Sequence, residues 1–307
     1  MTTDTVRDFL TAHVKGEISD VVRIAHGEWS KAFTFRHDGG DYIIRFSALE
    51  EDFAKDRFAA RFASPELPIP QVMEIGTAFD GFYAISERAF GAYLDELGTA
   101  DMRRLLPALF ATLDAVRLVD LRATTGFGGW DAHGQSQQPS WRASLLEIAD
   151  DRPTHRIQGW RERLATSPTG SKPFESALEQ LTTLVHVCPE DRHLIHSDLL
   201  NYNVLVSDDH IAAVIDWGCG KYGDFLYDLA WLSFWSPWYP AWESIDFRQE
   251  AARHYASIGL DVPHFEERLR CYEIHIGLDS QAYNSYKGRW NELDVVAKRT
   301  LKIARSH

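Results

Sequence analysis

Apolar positions along the chain change period several times, and the changes mark out its elements. Val6, Phe9, Leu10 and Val14 fall close to a helical stripe, which predicts a helix over 5–14. Residues 21–47 then shift to short β-prone runs, VVRIAHG, KAFTFRH and DYIIRFS, the last two separated by Asp38-Gly39-Gly40, a hairpin signal. Phe53, Phe58 and Phe62 among charged residues predict a helix that ends near Ser64-Pro65. Strands at 71–75 and 82–86 flank the turn-prone Ala78-Phe79-Asp80-Gly81. Beyond residue 92 the pattern is mainly helical, at 101–119, 141–150, 173–187, 225–234, 243–257, 263–286 and 290–304. Gly126–Gly129 reads as a loop, and Gly134–Pro139 is the most linker-like stretch. One interruption stands out at 193–216, where HLIH, NVLV and IAAVID are short β-like runs around polar loops. The expected architecture is α+β and two-lobed: a β-rich N-terminal lobe over 1–88 and a larger helical lobe over 89–307.

Bulk properties remove several function classes. The 307 residues are 45% hydrophobic and 25% charged, with mean hydropathy −0.29 and no repeat period. A net charge of −13 argues against nucleic acid as a partner and is compatible with steering of a cationic ligand. Cys188, Cys219 and Cys271 lack C-x-x-C spacing, which speaks against a disulfide framework or structural zinc site and for a reducing, cytoplasmic setting. The N-terminal residues do not pattern as a secretory signal, and no run of about eighteen apolar residues is present, so no membrane span is expected.

Candidate chemistry concentrates in His196–Asp216. Asp198 and Asn203 are five residues apart on a polar loop, and Asp216 ends the strand-like IAAVI and precedes Trp217-Gly218. Such a layout can aim three oxygen-bearing side chains into one cleft. Carboxylate and amide oxygens suit Mg²⁺ that keeps waters and nucleotide phosphates, and a carboxylate left off the metal could take a proton from an attacking hydroxyl.

The spacing resembles the catalytic and metal loops of protein kinases, H-x-D-x-x-x-x-N followed by D-x-G, and more closely the aminoglycoside phosphotransferase family, where the second element reads I-D-W or I-D-F. The D-x-x-x-D-L-A stretch at Asp224 and Asp228-Leu229-Ala230 is also typical of that family. The resemblance implies a kinase using ATP and Mg²⁺, with Asp198 the catalytic base and Asn203 and Asp216 the metal ligands. It makes His196 a brace of the loop, and Asp224 and Asp228 structural carboxylates that stand as readily away from the chemistry as near it. The usual H-G-D is H-S-D here, with Ser197 in place of Gly. In the N-terminal lobe, Gly27 and Ser30 sit where a phosphate-covering loop belongs, although an ordinary hairpin accounts for them equally. Arg45 occupies the place of the kinase phosphate-contacting Lys; it keeps the charge and can grip phosphate oxygens in a bidentate fashion. Its acid partner is Asp56 or Glu51, and Ser86–Arg88, around Glu87, is the expected adenine-binding hinge.

The likeness runs over most of the chain. KDR-x-x-x-x-FAS-x-x-LPIP (Lys55–Pro70), TTGFG (Thr124–Gly128), CPE-x-RHL-x-H (Cys188–His196), AVIDW and FW-x-PW resemble the hygromycin B phosphotransferase branch, which modifies the 4-hydroxyl of the drug and also carries Arg in place of the Lys. A polycationic, hydroxyl-rich acceptor calls for carboxylates and aromatic faces. The stretch W-L-S-F-W-S-P-W-Y-P-A-W-E at 231–243 supplies aromatics, with Trp235 and Trp238 as candidate pocket walls. Asp198, Asp216 and Asn201 would face the amino-sugar, and Asp279, Gln281 and Tyr283 would complete the site, although packing between helices also explains these residues. A monomer is expected. Two alternatives stay open: a kinase of the same fold acting on another small-molecule alcohol, and a nucleotide-binding pseudokinase.

Overall fold

A computed structural model describes residues 1–24, 29–153 and 156–306. Helix α1 (Thr3–His13) is capped by the Thr2 hydroxyl, which accepts from the Thr5 N–H, and it buries Val6 and Leu10. Strands β1 (Ile18–Ile24), β2 (Lys31–His37) and β3 (Gly40–Ser47) follow, then α2 (Glu51–Ala59), β4 (Val72–Ala78) and β5 (Gly81–Glu87). The five strands form one antiparallel sheet in the order β1-β2-β3-β5-β4. The β2–β3 hairpin closes through Asp38 and Gly39, both at positive φ (48° and 81°), the backbone a two-residue twisted hairpin demands. Phe33, Phe35, Ile44, Phe46, Tyr83 and Ile85 pack on one face against α1. Arg45 alternates with these residues and so points to the opposite face, toward α2.

The remainder is mainly helical, with short strands at its junction with the sheet: β6 (Ala92–Tyr93), α3 (Thr99–Arg117), β7 (Gly128–Gly129), α4 (Trp141–Leu146), α5 (Trp160–Thr166), α6 (Lys172–Leu184), β8 (His193–Ile195), β9 (Val204–Ser207), β10 (His210–Val214), β11 (Lys221–Gly223), α7 (Leu226–Trp235), α8 (Phe247–Ser257), α9 (Phe265–Lys287) and α10 (Trp290–Arg305). Two three-stranded sheets, β10-β9-β6 and β7-β11-β8, frame the 196–216 loops. The long α9 packs on α5, α6, α7 and α10 and forms the spine of this lobe. Its core also takes in Ala59 at the end of α2 and Ala60, Leu67 and Ile69 from the stretch after it, and the Val214 N–H donates to the Pro68 carbonyl (2.8 Å). The two lobes therefore share packing at the cleft floor. Among the described residues, no helix is long and apolar enough to cross a membrane.

The stretch 134–139 is not a linker. Thr125 bridges Gln135 and Phe127 bridges Gln138, Ser136 is buried, and the Tyr222 hydroxyl donates to the Gly134 carbonyl (3.1 Å). Its Gly and polar residues serve a tight passage: at Gly134 (φ +72°) a Cβ would lie 1.9 Å from Cζ of Phe58.

Candidate active site

The turn after β8 is fixed at its N-terminal end by two backbone bonds: the N–H groups of His196 and Ser197 donate to the Asp228 carboxylate on α7 (2.9 and 2.7 Å). The His196 Nδ1 accepts from the Asp198 N–H (3.2 Å), so its Nε2 carries the proton and donates to the Ile215 carbonyl (2.9 Å). Burial pushes the His196 pKa down, keeping the ring neutral for this bridging role. Ser197 has φ +59°, a left-handed conformation in which a glycine costs nothing; here the serine hydroxyl donates to the Cys219 carbonyl (2.7 Å) and ties the two loops together. Asp224 is engaged with Arg268 in two bonds (2.8 and 2.7 Å) and with the Tyr272 hydroxyl, inside the helical lobe.

Asp198 emerges from this frame at the cleft floor. Asn201 Nδ2 donates to its Oδ1 (2.7 Å), and Asn203 Nδ2 donates to its backbone carbonyl (2.8 Å). The second bond commits the amino group of Asn203 and leaves the amide oxygen for another partner. Desolvation raises the Asp198 carboxyl to about 7, against the stabilising Asn201 bond and with help from the charges of Asp216 and Asp95. Asp216 follows β10 at φ +61°, and its carboxyl is pushed up to about 6 by desolvation and by Asp56, with Arg45 opposing. The donor set of Asp216 and the Asn203 amide oxygen is hard, oxygen-only and short of a full cage, which fits a Mg²⁺ ion that retains water and takes the rest of its ligands from phosphate.

Arg45 is joined to Asp56 of α2 by a short charge-assisted bond, and Asp56 Oδ1 accepts the Trp217 N–H (2.7 Å). One carboxylate thus ties β3 to the loop that carries Asp216. Glu51 pairs instead with Lys55 (3.4 Å), whose Nζ also reaches the Gly218 carbonyl (3.2 Å). Of the hinge, the Glu87 and Arg88 N–H groups already donate to the carbonyls of Gln71 and Asp41 (both 3.1 Å), so a base edge would meet other backbone groups there.

A single cleft of about 1330 Å³ gathers Ser30, Arg45, Asp56, Glu87, Asp198, Asn201, Asn203 and Asp216 with Trp235, Trp238, Asp279 and Tyr283. Gly27 lies outside the described residues. Trp235 and Trp238 meet edge to face (4.9 Å between centroids), and Trp238 is 39% exposed. Behind Trp238, Phe234 stacks at 6.0 Å and the Arg299 guanidinium lies 5.1 and 5.8 Å over the two rings. Gln281 is excluded from the cleft: it is fully buried, donating to the Gly277 carbonyl (3.2 Å), because on α9 it points to the side opposite Asp279 and Tyr283. Sequence reasoning missed Tyr202, Tyr239, Ser280 and Glu292, which also line the cleft. The first two lie within or beside segments already singled out; Ser280 is adjacent to Asp279, while Glu292 at the start of α10 carried no signal of its own.

Comparison with known proteins finds relatives along most of the chain. The profile of the APH phosphotransferase enzyme family matches residues 20–267. A hygromycin-B 4-O-kinase of Escherichia coli is 34% identical over 291 residues, spanning 94% of this chain and 82% of that protein. The crystal structure of aminoglycoside phosphotransferase APH(4)-Ia superposes with a TM-score of 0.86 at 32% identity, covering 99% of both chains. A thermostable variant of that enzyme in ternary complex with AMP-PNP and hygromycin B gives 0.85 at 32% identity over 98% of both chains. An aminoglycoside 2′-phosphotransferase-IIIa in complex with GDP, 14% identical over 99% of both chains with a TM-score of 0.67, shares the fold alone. The chain belongs to the aminoglycoside phosphotransferase (APH) family of phosphotransferase enzymes.

Proposed function

We propose that this protein transfers the γ-phosphoryl group of ATP to the 4-hydroxyl of hygromycin B and so confers resistance to it. The observation that carries the reading is the convergence of Asp198, Asn203 and Asp216 on one cleft whose lining also includes Arg45, Trp235 and Trp238. The presence of all three together speaks against a pseudokinase. The E. coli relative and the ternary complex of the APH(4)-Ia variant support hygromycin B as acceptor.

Asn203 and Asp216 would hold Mg²⁺, which when bound offsets charge across the nucleotide phosphates. Arg45, held by Asp56, grips phosphate oxygens. Asp198 orients the acceptor hydroxyl and takes its proton as the oxygen bonds to the γ-phosphorus and the bond to the β-phosphate oxygen breaks, releasing ADP. The transition state is loose, so positioning and charge stabilisation supply most of the acceleration. Asp279 and the tryptophan faces meet the ammonium groups and rings of the amino-sugar. The enzyme works as a monomer in the cytoplasm, where its three free thiols, Cys188, Cys219 and Cys271, stay reduced.

A coupled ATP-consumption assay with hygromycin B beside kanamycin, gentamicin and erythromycin tests the reading, followed by NMR location of the phosphate. Mg²⁺-dependent turnover with hygromycin B at the highest kcat/KM, and a 4-O-phosphate product, is expected. Preference for another alcohol would replace the acceptor, and no turnover with any would overturn the kinase reading.

A further inference from the structure

Asn201 and Tyr202 lie at φ +64° and +68°, two successive left-handed residues with no glycine between them. An L-residue adopts this region at a cost, so something must hold the pair there. Their two N–H groups point at one carboxylate: Asn201 donates to Asp95 Oδ1 (2.8 Å) and Tyr202 to Asp95 Oδ2 (3.0 Å). Asp95 sits in a 3₁₀ turn, Leu94–Glu96, directly after β6, and β6 pairs with β9, the strand that leaves the catalytic loop. Leu94 beside it is fully buried. The carboxylate is thus anchored relative to the exit of the loop it grips.

A third donor ties the same carboxylate to the aromatic wall. The Tyr239 hydroxyl donates to Asp95 Oδ1 (2.8 Å), its ring stacks on Trp242 (4.2 Å, 16°), and the Trp242 Nε1 donates to the Leu97 carbonyl (3.0 Å). The wall carrying Trp235 and Trp238 is therefore docked on the 93–97 segment through Asp95 and its neighbours. The consequence for the chemistry is direct: the backbone path held by Asp95 is the one that returns the Asn201 amide to Asp198 Oδ1.

We propose that Asp95 is a positioning residue for phosphoryl transfer, holding Asn201-Tyr202 left-handed so that Asn201 fixes the Asp198 carboxylate, and registering that loop against the acceptor wall through Tyr239. Asp95 is not part of the cleft lining and acts only through these groups. Its role rests on the function proposed above.

The test is steady-state kinetics with ATP and hygromycin B on the wild-type protein, Asp95→Ala, Asp95→Asn, Tyr202→Gly and the double variant Asp95→Ala/Tyr202→Gly. Asp95→Ala is expected to lower kcat by up to about a hundredfold, the scale of a misplaced reacting group, with the KM for ATP unchanged. Glycine enters the left-handed region freely, so the same substitution made in the Tyr202→Gly background is expected to cost several-fold less. Asp95→Asn is nearly isosteric, keeps the fold, and is expected to lose activity because its amino group faces a donor. An Asp95→Asn protein with wild-type kcat overturns the proposal, as does an equal loss from Asp95→Ala in both Tyr202 backgrounds. A wild-type protein without turnover overturns the function proposed above and, with it, this role; wild-type turnover beside unaffected Asp95 variants overturns this role alone.

Discussion

The carboxyl of Asp198 is raised to about 7 because the cleft floor desolvates it beside Asp216 and Asp95. Two expectations follow from the sign of that shift. As a base the group works ionised, so kcat/KM should fall as pH drops through about 7, and Asp198→Ala should cut turnover by about two to four decades while nucleotide binding persists. A raised carboxyl also means that the folded protein binds more protons than the unfolded chain between about pH 4 and 7, so stability declines as pH rises through that window. Asp198→Asn removes the penalty. Its Tm should exceed wild type by at least about 2 °C at pH 8, with the gap closing toward pH 4; a lower Tm at pH 8 would contradict the assigned desolvation. That Asp198, Asn203 and Asp216 line one cleft was legible in the sequence because the roles proposed for them require residue type and spacing together on short loops. Gln281 misled because its neighbours at 279 and 283 share a helix face and it does not. Asp95 was invisible, since its partners stand more than a hundred residues away in the chain.

Pairing patterns explain which elements could be read in advance. The hairpin at Asp38-Gly39 and the Phe-rich α2 announced themselves through turn chemistry and periodicity, whereas β6, β7 and β11 are two or three residues long and owe their existence to neighbouring strands. Helix α5 spans only Trp160–Thr166 with two buried residues, too short to display a period. Composition misled at 134–139, where a linker-like run is packed under Tyr222 and against Phe58. Gly134→Ala is therefore expected to destabilise by about 2 kcal/mol or more, combining left-handed strain with overpacking, read as a lower urea midpoint; an unchanged midpoint would return the segment to linker status. The Arg45–Asp56–Trp217 chain joins β3, α2 and the Asp216 loop. Asp56→Ala leaves the partly buried Arg45 guanidinium without its partner and should cost up to about 3 kcal/mol, with turnover falling as well.

Charge and lobe arrangement act over the whole molecule. A net charge of −13 surrounds a cleft whose lining includes Asp198, Asp279 and Glu292. A polycationic acceptor should be drawn in by this field, so its KM should rise several-fold between low salt and about 0.3 M salt as screening shortens to a few ångströms. The two-lobed plan was readable because β-rich and helical patterns segregate along the chain, while the shared core at Ala59–Ile69 was not, since it depends on which face each lobe turns to the other. The most direct test of the central claim is to incubate the protein with ATP, Mg²⁺ and hygromycin B and follow the drug by mass spectrometry, beside the Asp198→Ala variant. Conversion of hygromycin B to a species one phosphoryl group heavier, matched by ADP release and nearly lost in the variant, is the predicted result. Unchanged drug with the wild-type protein, or equal conversion by the variant, would contradict the account.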